Sequence, residues 1–332
     1  MLEQAKSEIP NDTAVKITVL MPVHNTEKYV AEAVSSILRQ TFKEFELLVI
    51  NDGSTDKSMD IMRAFNDHRI RIVDQSKAGI AAALNNGIQL ARGTFIARFD
   101  ADDICYPHRL EEQYNFLTQN PDYILVGSDV DYIDSEGKFL FHYGNKSRSD
   151  DEIRAAIDLR CPLIHSTVCY NASIVRQLGG YNTRAHTFED YFLWTKLIHH
   201  GKVMNLAKPL ISVRLNPESL SVDEKLRGKK FLSLRKQILF QSGQITLSQE
   251  QKLLKILHGQ NSAGFKRYSY HILVAKKYLW DNHRPAEARQ HLRKAIAFRP
   301  FSSIAYSLIL LSLAPKRFVN RIYKTYKMTF SN

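Results

Sequence analysis

The first hundred residues alternate short runs rich in β-branched and aliphatic residues with longer segments of helical period. Strands are predicted at residues 16–21, 45–50, 70–73 and 94–99, and helices at 28–40, 56–65 and 79–91. Strands that are separated by helices pair in parallel, because the helix carries the chain back along the sheet. The pattern therefore predicts an α/β fold with a mostly parallel sheet and helices on both faces.

Three polar clusters follow the predicted strands directly. They occupy residues 22–25 (PVHN), 51–56 (NDGSTD) and 100–103 (DADD). The carboxyl ends of parallel strands meet at one edge of a sheet, and ligands bind there where the strand order reverses. The sequence therefore predicts a ligand site built from these clusters.

The rest of the chain divides into a mixed segment and a helical one. Helices are predicted at residues 107–119, 151–159 and 189–200, and a strand pair at 123–133 and 139–143. Beyond residue 220 the pattern is helical, and the pair 267–281 and 285–298 resembles one tetratricopeptide unit, which is too little for an array. We predict a lead segment at 1–15, an α/β domain at 16–220 and a helical extension at 221–332.

Charge separates the extension from the domain before it. The net charge is +12, and residues 221–332 hold 22 Lys and Arg against 5 Asp and Glu, whereas residues 1–220 hold 24 against 29. This asymmetry indicates a basic extension that meets a polyanion, either nucleic acid or an anionic lipid surface.

Several features favour a cytoplasmic protein. The three cysteines form no CxxC pair, and Glu3, Lys6 and Glu8 interrupt the start of the chain where a secretory signal is apolar. The apolar stretch at 304–314 is shorter than the ~20 residues of a membrane-spanning helix, although it is long enough to lie on a membrane.

Asp100 and Asp102 stand where a strand runs into a loop. In extended backbone a spacing of two directs both carboxylates to the same side. Close carboxylates repel unless a cation lies between them, and Mg²⁺ or Mn²⁺ with a diphosphate fits this need. An acidic loop or helix cap is the alternative.

Other polar residues have both a functional and a structural interpretation. Asp52 accepts hydrogen bonds from a base or ribose, or it forms an Asx turn. Glu189 and Asp190 begin an amphipathic helix, where an acid either caps the helix or acts as a general base. Arg214 clamps a diphosphate or pairs with a surface acid. His165 is expected to be structural.

Taken together, seven segments in order resemble glycosyltransferase family 2, which has the GT-A fold. The segments are residues 17–25, 29–42, 46–56, 79–93, 100–103, 109–113 and 189–194, within a match over about residues 16–215. The order and spacing of the set are specific, although each motif alone is weak.

The resemblance implies an inverting, metal-dependent transfer from a nucleoside-diphosphate sugar, with UDP-sugar as the expected donor and a glycan or lipid-linked glycan as acceptor. Pro22, His24, Asn25, Asp52 and Asn85 correspond to donor-binding positions in a nucleotide-sugar half at about 16–104. Asp100 and Asp102 correspond to the motif that holds the diphosphate and the metal, Mn²⁺ or Mg²⁺. Asp190 matches the catalytic base, with Glu189 beside it, in an acceptor half at about 105–220, which also includes Arg214.

Two positions depart from the family pattern. His24 replaces the commoner tyrosine before Asn25, and both side chains are planar and polar. Asn216 stands where many relatives have a histidine, so a further ligand from that loop is not expected.

The basic extension interleaves its charges with aromatic residues, and residues 315–324 have an amphipathic pattern. Basic amphipathic helices bind anionic membranes, with each charge contributing about 1 kcal/mol near the headgroups. We expect peripheral contact with the inner face of the cytoplasmic membrane, and packing on the catalytic domain is the alternative. Nucleic acid is not expected as the partner.

Two further functions explain part of the sequence. A nucleotidyltransferase also uses a parallel sheet and metal-binding acids, but its first loop is rich in glycine, and residues 21–27 contain none. A non-enzymatic polyanion-binding module explains the basic extension but not the acidic clusters.

Overall fold

The computed structural model describes residues 15–217, 228–258, 263–280 and 283–330. They form two units. The first contains the described residues up to Ser128 together with Asn145–Thr183 and Leu193–Ile211, and the second contains Asp129–Gly144, Arg184–Phe192 and the described residues from Ser212 onward. The predicted lead segment, apart from Val15, and the predicted boundary at 220/221 lie outside the described residues. The predicted domain limits stay a prediction.

Strands and helices alternate through the first part of the chain. In order they are β1 (Ile17–Val23), α1 (Val30–Leu38), β2 (Phe45–Asp52), α2 (Ser58–Arg63), β3 (Ile70–Gln75), α3 (Ile80–Leu90), β4 (Phe95–Arg98), β5 (Ile104–Cys105), α4 (Arg109–Gln119) and β6 (Tyr123–Ile133). Then follow β7 (Phe139–Tyr143), α5 (Asp150–Ile157), a 3₁₀ turn (His165–Thr167), β8 (Cys169–Asn171), α6 (Ala172–Gln177), α7 (Glu189–Leu197) and β9 (Lys202–Arg214).

The strand order of the sheet is β3-β2-β1-β4-β8-β6-β9-β5. Strand β1 pairs in parallel with both β2 and β4, and β2 pairs in parallel with β3. Strand β8 is antiparallel to β4 and to the first half of β6. The predicted α/β class with a mostly parallel sheet is therefore confirmed.

The core of the first unit is built on β2, which is buried over all eight residues. Successive side chains of a strand point to opposite faces, so both faces of β2 are covered, and this explains its continuous apolar run. Helix α1 has the matching pattern, because Val30, Val34 and Ile37 are buried on one stripe.

Helix α4 is fastened to the sheet by two buried polar side chains. Arg109 donates from Nη2 to the Arg98 carbonyl oxygen at 2.7 Å and from Nε to Gln113 Oε1 at 3.1 Å. Gln113 Nε2 donates to the Thr167 carbonyl oxygen at 2.7 Å. Because unpaired buried polar groups are costly, these bonds fix α4 in one position.

Gly93 makes the turn into β4 beside a buried polar pair. Thr18 Oγ1 donates to Glu46 Oε1 at 2.7 Å and accepts from the Gly93 N–H at 2.9 Å. A Cβ at Gly93 would lie 2.7 Å from the Ile17 carbonyl carbon and 2.8 Å from the Phe95 carbonyl oxygen. These are backbone atoms of the sheet, so no side-chain rotation relieves the clash.

We predict that Gly93→Ala destabilises the protein by about 1–3 kcal/mol, the usual cost of overpacking a core. Gly264→Ala is the matched control, because a Cβ there meets nothing within 4 Å. Because Gly264 lies within a helix, its replacement by alanine should leave the stability of the protein unchanged or raise it slightly. Denaturant unfolding checks both variants, and equal stability for Gly93→Ala and the unchanged chain would contradict the packing argument.

The second unit combines a short strand pair with helices. Strand β7 pairs antiparallel with Val130–Ile133 of β6, as predicted for 123–133 and 139–143. Then follow α8 (Lys229–Gln237), a π-helical turn (Ile238–Ser242), α9 (Leu247–His258), α10 (Ala263–Trp280), α11 (Pro285–Phe298), α12 (Ser303–Leu311) and α13 (Lys316–Phe330).

Helices α10 and α11 confirm the predicted helical pair at 267–281 and 285–298, with α10 beginning four residues earlier and Asp281 outside the described residues. Their buried side chains, among them Val274, Leu279 and Leu292, form one apolar cluster. Among the described residues, no helix has the length and apolar character needed to cross a membrane.

Two histidines face each other between α10 and α11. The Nδ1 atoms of His271 and His291 lie 3.1 Å apart, so one donates and the other accepts, which requires the accepting ring to be neutral. Burial and the facing imidazole lower the pKa of His271 to about 4, and burial and Lys294 lower the pKa of His291 to about 4.

This pair predicts that the α10–α11 hairpin loses stability in mild acid. An unfolded histidine has a pKa of about 6.5, so below that pH the unfolded chain binds protons that the folded pair does not. The contribution of the histidine pair to the stability of the hairpin is fully present above about pH 6.5 and decreases as the pH falls toward 4. Hydrogen exchange of the α10 and α11 amides, corrected for intrinsic rates, should show this decline.

His291→Phe should flatten the decline, whereas His199→Gln, at an exposed position, should leave it unchanged. An identical pH dependence in His291→Phe and the unchanged chain would contradict the assignment.

Candidate active site

The strand order of the first unit reverses between β1 and β4. From β1 the chain proceeds to β2 and then β3 on one side, and β4 pairs on the other side of β1. This is a topological switch point, and ligands bind beyond the carboxyl ends of the strands at such a point. Pro22 lies near the end of β1, Asp52 ends β2, and Asp100 follows β4.

The loops after β1 and β2 are joined by hydrogen bonds. Asn25 Oδ1 accepts from the Thr55 N–H at 2.8 Å, and the Asn25 N–H donates to Ser54 Oγ at 3.2 Å. The Glu27 N–H donates to Asp56 Oδ2 at 3.0 Å. Asn25 has φ 53°, in the left-handed region that asparagine tolerates better than most residues. The two loops therefore act as one rim.

The Asp52 carboxylate is buried and holds the loop that precedes α3. Its Oδ1 accepts from the Ala78 N–H at 2.7 Å and from Gln75 Nε2 at 2.8 Å, and its Oδ2 accepts from the Gly79 N–H at 2.9 Å. Gly79 has φ 91°, a conformation that favours glycine. Asp52 shapes the rim in this structure, and its contact with a nucleoside stays a prediction.

His24 is fixed by both of its ring nitrogens. Lys77 Nζ lies 3.0 Å from Nε2, and the Asp52 carbonyl oxygen lies 2.8 Å from Nδ1. Lysine only donates and a carbonyl only accepts, so Nε2 is the acceptor and Nδ1 carries the proton. The His24 ring is thus held in one orientation.

An acidic cluster follows β4. Asp100, Asp102 and Asp103 each offer a carboxylate oxygen, and these atoms lie within 4.8 Å of one another. Hard oxygen donors at this spacing suit Mg²⁺ or Mn²⁺. The structure brings the two predicted metal-binding residues together and adds Asp103, so the donor set fits a divalent cation.

Arg98 is the buried cation next to this cluster. Its guanidinium is 3% exposed and forms an ion pair with the Asp100 carboxylate. Burial alone would lower the pKa of Arg98, but Asp100 raises it above the usual arginine value. A buried charge that lost its partner would be strongly destabilising, so this pair holds the start of the acidic loop.

His165 belongs to an aromatic cluster under the same strand end. Its Nε2 lies 2.9 Å from the Tyr181 hydroxyl, and its ring lies edge-on to Trp194 with centroids 6.0 Å apart. Burial, with the nearby Arg98 guanidinium, lowers the pKa of His165 well below its usual value. The imidazole is therefore neutral at physiological pH, in agreement with its expected structural role.

Asn85, on α3, binds a backbone segment of the first unit. Its Nδ2 donates to the Tyr181 carbonyl oxygen at 2.8 Å, and its Oδ1 accepts from the Tyr181 N–H at 2.7 Å. Asn85 thereby holds Tyr181 in place beside His165. Its predicted contribution to the donor pocket stays a prediction.

Glu189 and Asp190 begin α7 in the second unit. Glu189 is buried, Asp190 is half-buried, and Asp190 Oδ1 accepts from the Tyr191 N–H at 2.7 Å. Thr187, two residues before Glu189, has φ 73°. Such a value is strained for a β-branched residue, and strain of this kind concentrates at functional sites. The assignment of Asp190 as catalytic base stays a prediction.

Arg214 ends β9 in the second unit. It is buried, and its Nη1 donates to the Asp134 carbonyl oxygen at 3.2 Å in the turn between β6 and β7. In the structure Arg214 supports this turn. Its role as a diphosphate clamp stays a prediction.

The sequence did not single out Arg98, Lys77, Gln75 or Tyr181. Arg98 had a usable signal, because it lies two residues before Asp100, and that spacing predicts the same side in extended backbone. Lys77 and Gln75 had none, since their contacts with His24 and Asp52 arise from the fold of separate loops.

The model for glycosyl transferase family 2 matches residues 18–178. The putative glycosyltransferase EpsE of Bacillus subtilis (strain 168) is 32% identical over 206 residues, which is 60% of this chain and 73% of EpsE.

Two solved structures have the same fold at low identity. S. aureus TarS in complex with UDP-GlcNAc aligns with a TM-score of 0.55 at 17% identity and covers 93% of this chain and 92% of its own. The mannosyltransferase PcManGT from Pyrobaculum calidifontis, in complex with GDP-Man and Mn²⁺, aligns with a TM-score of 0.53 at 18% identity and covers 98% of this chain and 90% of its own.

The geometry of Asn25 predicts different costs for two substitutions. Asn25→Gly loses the hydrogen bond to Thr55 but keeps the φ angle, so we expect a loss of about 1 kcal/mol. Asn25→Ala adds the left-handed strain, about 1 kcal/mol more. Denaturant unfolding should rank the stabilities as unchanged chain, then glycine, then alanine. Equal losses in the two variants would show that the φ angle is unimportant.

Proposed function

The chain belongs to glycosyltransferase family 2, and we propose that it is an inverting, metal-dependent hexosyltransferase that uses a UDP-sugar donor. The observation that supports the metal and the donor is the cluster of Asp100, Asp102 and Asp103 at the switch point, with their carboxylate oxygens within 4.8 Å. TarS binds UDP-GlcNAc, and PcManGT binds GDP-Man with Mn²⁺. These two complexes support the proposal of a nucleotide-sugar donor and a divalent cation here.

In this proposal Asp100 and Asp102 hold the metal, which when bound acts as a Lewis acid on the departing diphosphate. Arg98 keeps Asp100 in place through their buried ion pair. The joined rim loops of Asn25 and Asp52 form the wall for the nucleoside.

Asp190 is the proposed general base. It takes the proton from the acceptor hydroxyl as that oxygen attacks the anomeric carbon, and the bond to the diphosphate breaks in the same displacement. One direct displacement inverts the configuration, so no covalent intermediate with the chain forms. Asp190 needs its charge to act, and the helix start at Glu189 favours negative charge there.

The proposed acceptor is a glycan or lipid-linked glycan of bacterial surface polysaccharide synthesis, reached at a membrane surface. The end of the second unit supports this, because α12, α13 and the turn between them expose large apolar side chains beside basic residues. Leu310 is 70%, Leu313 69% and Phe318 53% exposed, and the neighbouring cations are Lys316, Arg317 and Arg321. An exposed apolar and basic helical surface is typical of proteins that lie on anionic membranes.

The metal and base assignments predict different defects. Asp102→Ala should lower metal-dependent hydrolysis of a UDP-sugar by at least about a hundredfold and also weaken the binding of UDP with Mn²⁺. Asp190→Asn should lower transfer by about 10²–10⁴-fold, the range for a general base, while UDP binding persists. Calorimetry and a donor-hydrolysis assay over a panel of nucleotide sugars measure both effects.

Asp122→Ala is the control, because its carboxylate is 75% exposed and pairs only loosely with Lys202. Turnover that needs no metal and is undiminished in Asp102→Ala would contradict the metal assignment. A product with retained anomeric configuration, measured by NMR, would contradict the displacement mechanism.

A further inference from the structure

The second unit contains a cleft between α8 and α9. Its volume is about 580 Å³, and its walls include Lys229 and Lys230 from α8 and Lys252 and Lys255 from α9. All four lysines are exposed. Lysines from two helices therefore line a common space that is large enough for a phosphate group and the atoms attached to it.

Among the residues that the structure describes, no carboxylate lines this cleft. Between residues 228 and 258 the sequence contains one acid, Glu250. Its carboxylate is already paired within the unit, with His186 Nε2 at 3.1 Å and Arg184 Nε at 3.4 Å. The four lysines thus create a positive potential across the cleft, and a bound anion would relieve their mutual repulsion.

The start of α8 strengthens the preference for an anion. Its first turn contains Lys229 and Lys230 and no acid, and Gly228 supplies no side-chain cap. The amino end of a helix favours negative charge, so two lysines there oppose the helix dipole. An anion in the cleft would interact favourably with the lysines and with the dipole of this helix start.

The rest of the lining indicates which anion fits. Ser233 and Gln237 offer hydrogen-bond donors, whereas Leu234 and Ile256 add apolar surface. The same helical segments expose further apolar side chains, namely Leu232 at 41%, Phe240 at 37% and Leu247 at 62%. A free phosphate ion gains nothing from apolar surface, but a lipid presents its phosphate next to glycerol and acyl carbon atoms.

We propose that the α8–α9 cleft binds the phosphate of an anionic lipid headgroup at a membrane surface. This inference rests on the proposed membrane contact and deepens it, since it assigns a headgroup site to helices other than α12 and α13. Lysine ammonium groups on both walls bind the phosphate oxygens, and the exposed leucines of the two helices, with Phe240 of the π-helical turn between them, meet the adjoining carbon atoms.

The test compares two full-length variants of equal charge. The cleft variant combines Lys229→Gln, Lys230→Gln, Lys252→Gln and Lys255→Gln. The control variant combines Lys138→Gln, Lys146→Gln, Arg293→Gln and Lys294→Gln, all at exposed positions outside the cleft. Sedimentation with vesicles of phosphatidylglycerol or of phosphatidylcholine, at about 0.1 M salt, measures binding.

We expect the unchanged chain to bind phosphatidylglycerol vesicles and not phosphatidylcholine vesicles. Each lysine near an anionic surface contributes roughly fivefold to affinity, so the cleft variant should bind at least about a hundredfold more weakly. The control variant should stay within about tenfold of the unchanged chain. Circular dichroism should be the same for all three proteins, because the substituted side chains are exposed.

Four outcomes would overturn the inference. If both variants lost the same affinity for phosphatidylglycerol vesicles, binding would depend on the overall positive charge and not on the cleft. If the cleft variant bound these vesicles as strongly as the unchanged chain, the membrane contact would not use this site. A cleft variant that loses affinity only for inorganic pyrophosphate, measured by calorimetry, would indicate a soluble phosphate ligand. If the unchanged chain bound neither kind of vesicle, the proposed membrane contact would also be wrong. Metal-dependent donor hydrolysis would still test the proposed catalytic function independently.

Discussion

The parallel pairing of β1 with both β2 and β4 is the constraint on which the candidate site depends. It places the ends of three strands at one edge, so that residues separated by almost eighty positions, from Pro22 to Asp100, become neighbours along that edge. The clash predicted for a Cβ at Gly93 shows how closely the turn into β4 approaches β1. A shift of β4 would displace Asp100 and its neighbours together with the strand.

Arg98 links this sheet to its chemistry. A cluster of three carboxylates without a cation is electrostatically unfavourable, and the buried guanidinium offsets part of that repulsion through Asp100. The same guanidinium helps keep His165 neutral, so that the imidazole can pair with the Tyr181 hydroxyl. One buried cation therefore organises both the acidic loop and the aromatic cluster beneath the strand ends.

Periodicity in the sequence predicted the strands and helices up to β4, the pair β6 and β7, and the hairpin of α10 and α11. These elements are long or strongly patterned, so local information specifies them. The contacts of Asp52 with Ala78 and Gly79 could not be predicted, because they depend on how a distant loop folds back. Family membership decides in favour of a glycosyltransferase over a nucleotidyltransferase, whereas the acceptor depends on loop shapes that no motif encodes.

The double anchoring of His24 has a consequence for base recognition. Because Nε2 is paired with Lys77 and Nδ1 with the Asp52 carbonyl oxygen, neither ring nitrogen is available for a hydrogen bond to a nucleotide base. Only the faces and carbon edge of the imidazole remain, and stacking on a flat ring accepts uracil and guanine alike. If His24 contacts the base, as the family resemblance implies, its ring therefore does not by itself distinguish pyrimidine from purine donors.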